Sequence, residues 1–207
     1  VQGSAVYVED STAIFNDVAF KGNQVGHKNV DGAAIYAGNS DITVSNCTFE
    51  ENGLEDADKK LFNAPSVIYC DESSVTVSNS TFTKNGATAL LELVDSEFFM
   101  DGGKITGNSS GALFSLEDTD ADILRVTITD NTSKTLYLNN DDEMVTMMGC
   151  TLGNNTPATD VADVETEDEG TLVIMDCILN DTTFSDEDHV KVTYSEVTRE
   201  DAMIGVI

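Results

Sequence analysis

One unit of the sequence repeats along the chain and limits what the chain can fold into. Its clearest copy spans residues 32–52, GAAIYAGNSDITVSNCTFEEN, in which three short apolar segments are separated by polar turns. Within each segment the apolar residues lie two apart, as Ile42 and Val44 do, which is the period of a β-strand with one buried face. Three strands and three corners in so short a unit predict one coil of a β-solenoid.

The copies of this unit keep a common register over most of the chain. The last apolar residue of each copy serves as an anchor, and successive anchors lie 29, 33, 23, 23, 24 and 27 residues apart. The anchors are Phe20, Phe49, Phe82, Ile105, Ile128, Leu152 and Leu179, with Ile204 as a weaker eighth. A repeat of this length with strand-like spacing predicts stacked coils that bury their apolar faces on one another. We therefore predict an all-β fold, a parallel β-helix of about 7–8 coils with a base repeat of about 23 residues, in one domain spanning residues 1–207.

A column of asparagines closes each unit three residues after the anchor. Asn tolerates the left-handed backbone conformation that a sharp corner requires better than other non-glycine residues do. Its side-chain amide can also bond the asparagine one coil above, so that the column forms a ladder. We predict such a structural ladder for Asn23, Asn52, Asn85, Asn108, Asn131 and Asn155.

Six N-glycosylation sequons overlap the repeat, because Asn-x-Ser/Thr recurs at its corners. They begin at Asn46, Asn79, Asn108, Asn131, Asn154 and Asn180. A secreted eukaryotic chain could carry glycans at some of these positions. Several of these asparagines are predicted to point inward in the ladder, however, where a glycan would not fit. We therefore expect few of the six sequons to be used.

The chain is strongly acidic, with 10 Lys and Arg residues against 38 Asp and Glu residues and a net charge of −28. This charge argues against nucleic acid, anionic membranes and acidic polysaccharides as partners. No apolar run approaches the roughly 20 residues of a membrane helix, so we expect no membrane insertion. Two interpretations of the charge stay open: solubility in a saline or extracellular setting, and the binding of divalent cations.

Acidic residues recur at the corner after the first strand of several units, most densely in the fifth and sixth coils. Asp118-x-Asp120-x-Asp122 resembles the start of a calcium loop, although the later Gly and Glu of an EF-hand are missing. Asp141 and Asp142 continue the acidic corner in the next unit. We predict weak calcium binding here and no other cofactor. If calcium leaves the melting temperature unchanged, the acidic corner is only a solvated face.

The four cysteines lie at two kinds of position. Cys47, Cys150 and Cys177 share the column two residues before the anchor, which should point inward. Cys150 and Cys177 lie in successive coils, about 4.8 Å apart along the stack, which is within reach of a disulfide. Unpaired cysteine also packs well as a small hydrophobe, so bridged and free states both stay open. Cys70 lies on another face, and we expect it to be free.

An outer column of aromatic residues runs along the first strand of the units, between the inward columns. Its aromatic members are Tyr7, Tyr36, Tyr69, Phe114 and Tyr137, interrupted by Glu92. Exposed stacked aromatics bind sugars or protein surfaces, whereas covered rings would serve packing alone, and both interpretations stay open. Threonine pairs on the third strand, such as Thr127-x-Thr129, resemble ice-binding arrays, but charged residues such as Lys104 interrupt them.

Short motifs that end in the closing asparagine carry a resemblance to a known family. FKGN at Phe20, FEEN at Phe49 and FTKN at Phe82 match the pattern FxxN, and ITGN at Ile105, ITDN at Ile128 and LGNN at Leu152 are conservative variants. GAAI from Gly32 and GAL from Gly111 approximate a second pattern, GGA followed by Ile, Leu or Val. These motifs resemble the repeats of the chlamydial polymorphic outer-membrane proteins. The resemblance implies a right-handed parallel β-helix and an exported, passenger-type segment that works by contact without catalysis.

An enzyme is the serious alternative, because many parallel β-helices are polysaccharide lyases or hydrolases. A lyase needs a basic group to abstract a proton, but Arg125 has no lysine in its column in its own or the neighbouring coils. A hydrolase needs paired carboxylates across a cleft, whereas the acidic residues here form a ladder along one corner. His27 and His189 lie alone and are better explained as solvated side chains. We therefore predict a protein that is not an enzyme.

These observations predict a non-catalytic extracellular or cell-surface module, structural or adhesin-like, that acts by surface contact or self-assembly. Its expected partners are carbohydrate, a surface protein or further copies of itself. A β-helix exposes unpaired backbone groups at each end, and regular coils run up to both ends of this chain. We therefore expect a segment of a longer solenoid or a subunit that stacks end to end into a filament. The alternatives are a carbohydrate-active, pectate-lyase-like enzyme and, less favoured, an ice-binding solenoid.

Overall fold

The structure is a computed structural model that describes residues 5–24, 31–53, 66–140, 143–157, 162–167, 170–185, 189–193 and 195–198. Within these ranges all regular structure is β-strand, arranged in one seven-stranded and one fourteen-stranded sheet. None of the described residues forms a helix that could cross a membrane. His27, Asp141, Asp142 and residues 199–207 lie outside the described residues, as do residues 1–4, so the predictions about the two chain ends stay predictions.

Each of the first seven coils contributes one strand to the first sheet, and every coil contributes its remaining strands to the second sheet. The first sheet contains β1 (Val6–Glu9), β4 (Gly32–Gly38), β7 (Ser66–Asp71), β9 (Gly86–Val94), β11 (Ser109–Glu117), β14 (Thr132–Asn139) and β17 (Val164–Glu167). The second strands of the coils are β2 (Thr12–Asn16), β5 (Asp41–Ser45), β8 (Ser74–Thr83), β10 (Glu97–Thr106), β12 (Asp120–Leu124), β15 (Met144–Met148), β18 (Thr171–Met175) and β20 (Val190–Thr193). The third strands are β3 (Ala19–Lys21), β6 (Thr48–Glu50), β13 (Thr127–Thr129), β16 (Thr151–Gly153), β19 (Ile178–Asn180) and β21 (Glu196–Thr198), and in two coils they merge into β8 and β10.

The register of the second sheet confirms the predicted repeat. The anchor residues pair directly from coil to coil, from Phe20 through to Leu179, and the pairing is parallel throughout. The predicted eighth anchor, Ile204, is wrong, because Leu179 pairs with Val197, which lies only 18 residues further on. Among the described residues of the last coil, the first side forms a single bridge, between Phe184 and Val164. The chain thus forms a stack of about eight three-sided coils.

Alternation along each strand sends one row of apolar side chains into a narrow core. In β5, for example, Ile42 and Val44 are buried between exposed or half-buried neighbours. The anchor rings of Phe20, Phe49 and Phe82 stack in parallel, with centroids 4.7 and 4.6 Å apart. Full burial of such a side chain contributes about 1.5–3 kcal/mol. Identical residues stacked at identical positions therefore stabilise the coil and fix its register at the same time.

The closing asparagines form an inward hydrogen-bonded ladder. The backbone N–H and Nδ2 of Asn85 both donate to Asn108 Oδ1, at 3.0 and 2.9 Å, and Asn108 Nδ2 donates to Asn131 Oδ1 at 3.0 Å. Equivalent bonds join the other members of the column. The expected left-handed conformation is wrong for these residues, since the positive φ belongs to the residue before each of them in several coils, such as Lys84 at 54°. The asparagine is thus required for its amide and not for its backbone.

The outer column of the first sheet differs from the prediction at one position. Phe114 pairs with Leu91 and Leu136 and is fully buried in the core. Ser115 takes the outward position beside Glu92. Side chains on a strand alternate between faces, so a miscount of one residue exchanges the outside for the inside. Phe114 therefore belongs to the core and is not part of an aromatic surface.

Candidate functional site

The corner between the first and second strands presents one outward side chain per coil. The residue at this position adopts a positive φ of 44–49° in each of the first five coils, which lets the chain turn sharply. These residues are Asp10, Asn39, Glu72, Asp95 and Asp118. All five are exposed, and their backbone N–H groups donate to the next coil, as Asp95 N does to Glu117 O at 3.0 Å. The corner therefore stacks acidic or amide side chains one coil above another.

The next residue of the same corner carries a hydroxyl that caps the coil before it. Ser40 N donates to Ser73 Oγ at 3.1 Å, and Ser73 N donates to Ser96 Oγ at 3.1 Å. Thr119 and Asn140 continue this ladder in the following coils. Sequence reasoning missed the column, although a hydroxyl residue lies nine residues before each of the first five anchors. That spacing is the signal that could have found it.

The outward side chains of this corner line a groove of about 720 Å³ that crosses six coils; we call it the acidic groove. Among its described lining residues, eight of fifteen are Asp or Glu and none is Lys, Arg or His. Its carboxylates are those of Asp10, Asp41, Glu72, Asp95, Glu97, Asp118, Asp120 and Glu143. Carboxylates about 5 Å apart in adjacent coils repel each other by roughly 1 kcal/mol in bulk water. A bound cationic group would offset this repulsion, so the acidic groove suits positively charged ligands.

The predicted calcium ligands lie in this region but do not converge. Asp118 occupies the turn, whereas Asp120 and Asp122 lie on the outer face of β12, two residues apart along an extended strand. That separation is about 6.6–7 Å, so their carboxylates stand side by side instead of enclosing a point. Among the residues that the structure describes, no group of three His, Cys, Asp or Glu is placed to hold a metal ion. Asp141 and Asp142 lie outside those residues, and weak calcium binding stays a prediction.

A second concavity, of about 420 Å³, adjoins the acidic groove and contains an exposed aromatic ring. Phe99 lies on β10 between Thr76 and Asp122 of the neighbouring coils, and 38% of the residue is exposed. Glu97 and Asp120 line both the concavity and the acidic groove, so the two are continuous. We call this second feature the Phe99 concavity. The sequence patterns did not indicate it, because Phe99 lies outside the predicted aromatic column.

The predicted aromatic stripe is a short ring stack and not a continuous platform. Tyr7 stacks on Tyr36 with ring centroids 5.0 Å apart, and Tyr36 stacks on Tyr69 at 5.5 Å. Tyr7 is 47% exposed, but Tyr36 is 7% exposed and Tyr69 is half-buried. Tyr137 lies three coils beyond Tyr69, with Lys134 Nζ 5.3 Å from its ring centroid. Most of the stripe therefore covers its own strands.

Glu92 is a largely buried carboxyl in the outer column of the first sheet. It pairs with Tyr69 of the preceding coil. Burial raises the pKa of Glu92, and Asp31 and Glu117 raise this pKa further, although a hydrogen bond with Ser66 opposes the shift. Glu92 therefore keeps its proton to a higher pH in the folded chain than in the unfolded chain, which makes stability sensitive to pH.

The structure holds all four cysteines as free thiols, and a bridge between Cys150 and Cys177 stays a prediction. Cys177 Sγ accepts a hydrogen bond from Cys150 N at 3.3 Å. Ser80 Oγ accepts the equivalent hydrogen bond from Cys47 N at 3.1 Å. The column two residues before the anchor therefore caps the second corner with either a sulfur or an oxygen acceptor. Cys70 is a buried thiol on the first sheet, and burial raises its pKa to about 12.

The sequon asparagines fall into two groups in the folded chain. Asn108 and Asn131 are each 1% exposed and belong to the buried ladder, so the folded chain has no room for a glycan at either of them. The more accessible group consists of the exposed residues Asn46, Asn79 and Asn154, together with the half-buried Asn180. Glycosylation of this second group stays a prediction.

Comparison with known proteins addresses the architecture directly. No curated protein matches the chain. A family model described as a right-handed beta helix region matches residues 66–201, which is about two thirds of the chain. The matched region begins at β7 and covers the stacked coils that contain most of the acidic groove and the whole Phe99 concavity. The chain therefore belongs to the right-handed β-helix family.

Proposed function

We propose that this chain is a non-catalytic β-helix module, of the extracellular or cell-surface type, that works by contact with cationic groups along its coils. The observation that carries the proposal is the acidic groove, which spreads eight carboxylates over six coils. Six coils stacked about 4.8 Å apart span about 24 Å. A ligand lying along such a track makes many weak, similar interactions, and complementary charge speeds and steers its binding.

The distribution of charged groups favours contact over catalysis. An active site brings an acid, a base or a nucleophile within hydrogen-bond reach of one reacting bond. The carboxylates of the acidic groove instead recur at the same corner in each coil, and the corner residues are held outward by the turn. Arg125, the basic residue considered for a lyase, forms an exposed ion pair with Asp101. Neither arrangement concentrates catalytic groups around one point.

The FxxN motifs have a structural role in the coil and also carry the resemblance to passenger-type proteins. Their Phe is the stacked core residue and their Asn is the ladder residue, as Phe49 and Asn52 illustrate. Coil geometry thus explains both positions of the motif that resembles the chlamydial polymorphic outer-membrane proteins. We include export and surface exposure in the proposal on the strength of this resemblance and of the net charge of −28.

Neutralising single groove carboxylates tests the proposal. Asp95→Asn and Asp118→Asn remove charge at a turn position where Asn39 is found in another coil, so these variants should fold. We expect each variant to weaken the binding of poly-L-lysine by about two- to fivefold, as for the loss of one exposed ion pair. Asp176→Asn is the matched control, because Asp176 is also an exposed residue of positive φ but lies outside the acidic groove.

Turnover assays on the wild-type chain separate this proposal from a carbohydrate-active enzyme. We expect no depolymerisation of pectate, alginate, xylan or chitosan, in the presence or absence of calcium. Depolymerisation of any of these polymers that is abolished by one groove variant would contradict the proposal. Equal weakening of poly-L-lysine binding by Asp176→Asn and Asp95→Asn would also contradict it, because the contact would then not be localised to the acidic groove.

A further inference from the structure

We propose that the Phe99 concavity is a docking site for an arginine-bearing segment of a basic peptide, an inference that rests on the proposed function of the chain as a contact module. The concavity exposes two large apolar side chains, Phe99 at 38% and Met144 at 52%. Large apolar residues of a β-helix usually turn into the core, as the neighbouring Phe98 does at 3% exposed. Apolar side chains that share an exposed concavity mark a surface suited to a partner.

The rim of the concavity determines the chemistry of its occupant. Glu97 lies two residues before Phe99 on the same strand, and Asp120 and Asp122 lie beside them on the adjacent coil. None of the ion pairs among the described residues includes these three carboxylates. No Lys, Arg or His is present among the described residues that line the concavity. An occupant that combines positive charge with an apolar or planar surface is complementary to this rim.

Arginine meets these requirements better than lysine. A guanidinium group is planar, stacks on aromatic faces and donates paired hydrogen bonds to a carboxylate. Phe99 supplies the ring, and Asp122 directly beside it supplies the acceptor, on strands about 4.8 Å apart. The lysine ammonium is more strongly hydrated and lacks the planar fork, so it gains less from the ring.

The continuity with the acidic groove indicates a polymeric partner. Glu97 and Asp120 line both features, so a chain docked at Phe99 can continue along the groove carboxylates. Basic side chains that flank the docked arginine would then face acidic residues of further coils. A basic peptide segment in an extended conformation can contact both the concavity and the acidic groove. An isolated small cation would leave most of these carboxylates without a contact.

The test compares labelled arginine and lysine nonapeptides in fluorescence-anisotropy titrations of the whole chain. We expect the wild type to bind the arginine peptide more tightly than the lysine peptide. Phe99→Leu keeps a large apolar side chain but removes the ring, and should weaken arginine-peptide binding by about two- to fivefold. It should also reduce the preference for arginine over lysine, whereas Phe99→Tyr should keep both. Asp122→Asn should weaken the binding of both peptides.

Two exposed residues outside the concavity provide matched controls. Ile14 occupies the same outward column in the first coil and is 71% exposed, so Ile14→Ala removes an equivalent apolar side chain. Asp176→Asn removes an equivalent exposed carboxylate. We expect neither control to change the affinity for the arginine peptide. Thermal melting of each variant checks that the fold is retained.

Three results would overturn the docking site. The first is that Phe99→Leu binds the arginine peptide as tightly as the wild type does. The second is that Ile14→Ala loses as much affinity for this peptide as Phe99→Leu. The third is that the wild type binds neither peptide. If the groove variants still lose affinity for poly-L-lysine, the docking site fails alone and the proposed function stands. Depolymerisation of a polysaccharide would instead contradict the proposed function. The two failures are therefore distinguishable.

Discussion

Asn108 Oδ1 accepts two hydrogen bonds from Asn85, one from the backbone N–H at 3.0 Å and one from Nδ2 at 2.9 Å. The two residues are only 1% and 2% exposed, so water cannot replace these bonds. Asn108 Nδ2 also donates to the carbonyl of Phe82 at 3.0 Å. The Asn108 side chain thus ties two backbone groups of the preceding coil to its own coil, and this linkage lies at the centre of the predictions on stability.

Asn108→Ala should be strongly destabilising. The substitution leaves the two Asn85 donors and the Phe82 carbonyl without these partners in a buried corner. At about 1–3 kcal/mol for each unsatisfied buried group, we expect a loss of about 3 kcal/mol or more in the free energy of unfolding, measured by urea denaturation. Asn16→Ala, at an exposed position, should change stability by less than about 0.5 kcal/mol. Similar losses in the two variants would refute a stabilising ladder.

The hydroxyl ladder beneath the acidic groove gives a second comparison of neighbouring residues. Ser73→Ala removes the acceptor of Ser40 N at a buried position, whereas Ser74→Ala changes the exposed residue next to it. We expect Ser73→Ala to lower the free energy of unfolding by about 1–3 kcal/mol and Ser74→Ala to have little effect. Equal effects in urea denaturation would show that the buried hydroxyl does not hold the corner.

The architecture could be predicted from the sequence because coil geometry fixes its residue types. Anchor residues such as Phe49 and ladder residues such as Asn52 recur where an inward apolar ring or a corner amide is needed. The error at Phe114 arose because the outer column was allowed a variable distance from the anchor. A strict count of thirteen residues before Ile128 gives Ser115, which is the residue that faces outward.

The candidate site was less predictable, because surface positions of a solenoid tolerate many residue types. The acidic corner was predicted for the middle coils, but its extension to Asp10 and Asp41 follows from register in three dimensions. The Phe99 concavity depends on residues from four coils, including Thr76 and Met144, that share no sequence motif. Surface side chains that lie beside one another in adjacent coils can be matched in the sequence only after the inserts of variable length have been aligned.

Serine should replace Cys177 better than alanine does. Cys177 Sγ accepts a hydrogen bond from Cys150 N, and Ser195 Oγ accepts the equivalent bond from Cys177 N. Cys177→Ser keeps an acceptor, whereas Cys177→Ala leaves a buried N–H unpaired at a cost of about 1–3 kcal/mol. We expect urea denaturation to rank the variants accordingly. Alkylation of the unfolded, unreduced chain should modify all four cysteines, and modification of only two would reveal a disulfide.

Glu92→Gln should stabilise the chain at neutral pH. Burial raises the pKa of Glu92 in the folded state, so the unfolded chain releases this proton first as the pH rises. The contribution of Glu92 to the stability of the wild type therefore falls from the ordinary range of Glu, about pH 4.3, upward through the folded pKa. We expect a higher melting temperature for the variant at pH 7 and a smaller difference below about pH 4, where the carboxyl is protonated in both states. A lower melting temperature of the variant at pH 7 would contradict this assignment.

Chemical-shift mapping of backbone amides during titration with a lysine nonapeptide tests contact along the acidic groove most directly. We expect shifts at the corner amides of successive coils, Asn39, Glu72, Asp95 and Asp118, with much smaller shifts at the control corner residue Asp176. Because the contact is electrostatic, the shifts should shrink as salt is raised. Shifts confined to a single coil, or spread evenly over the whole surface, would contradict binding along the acidic groove.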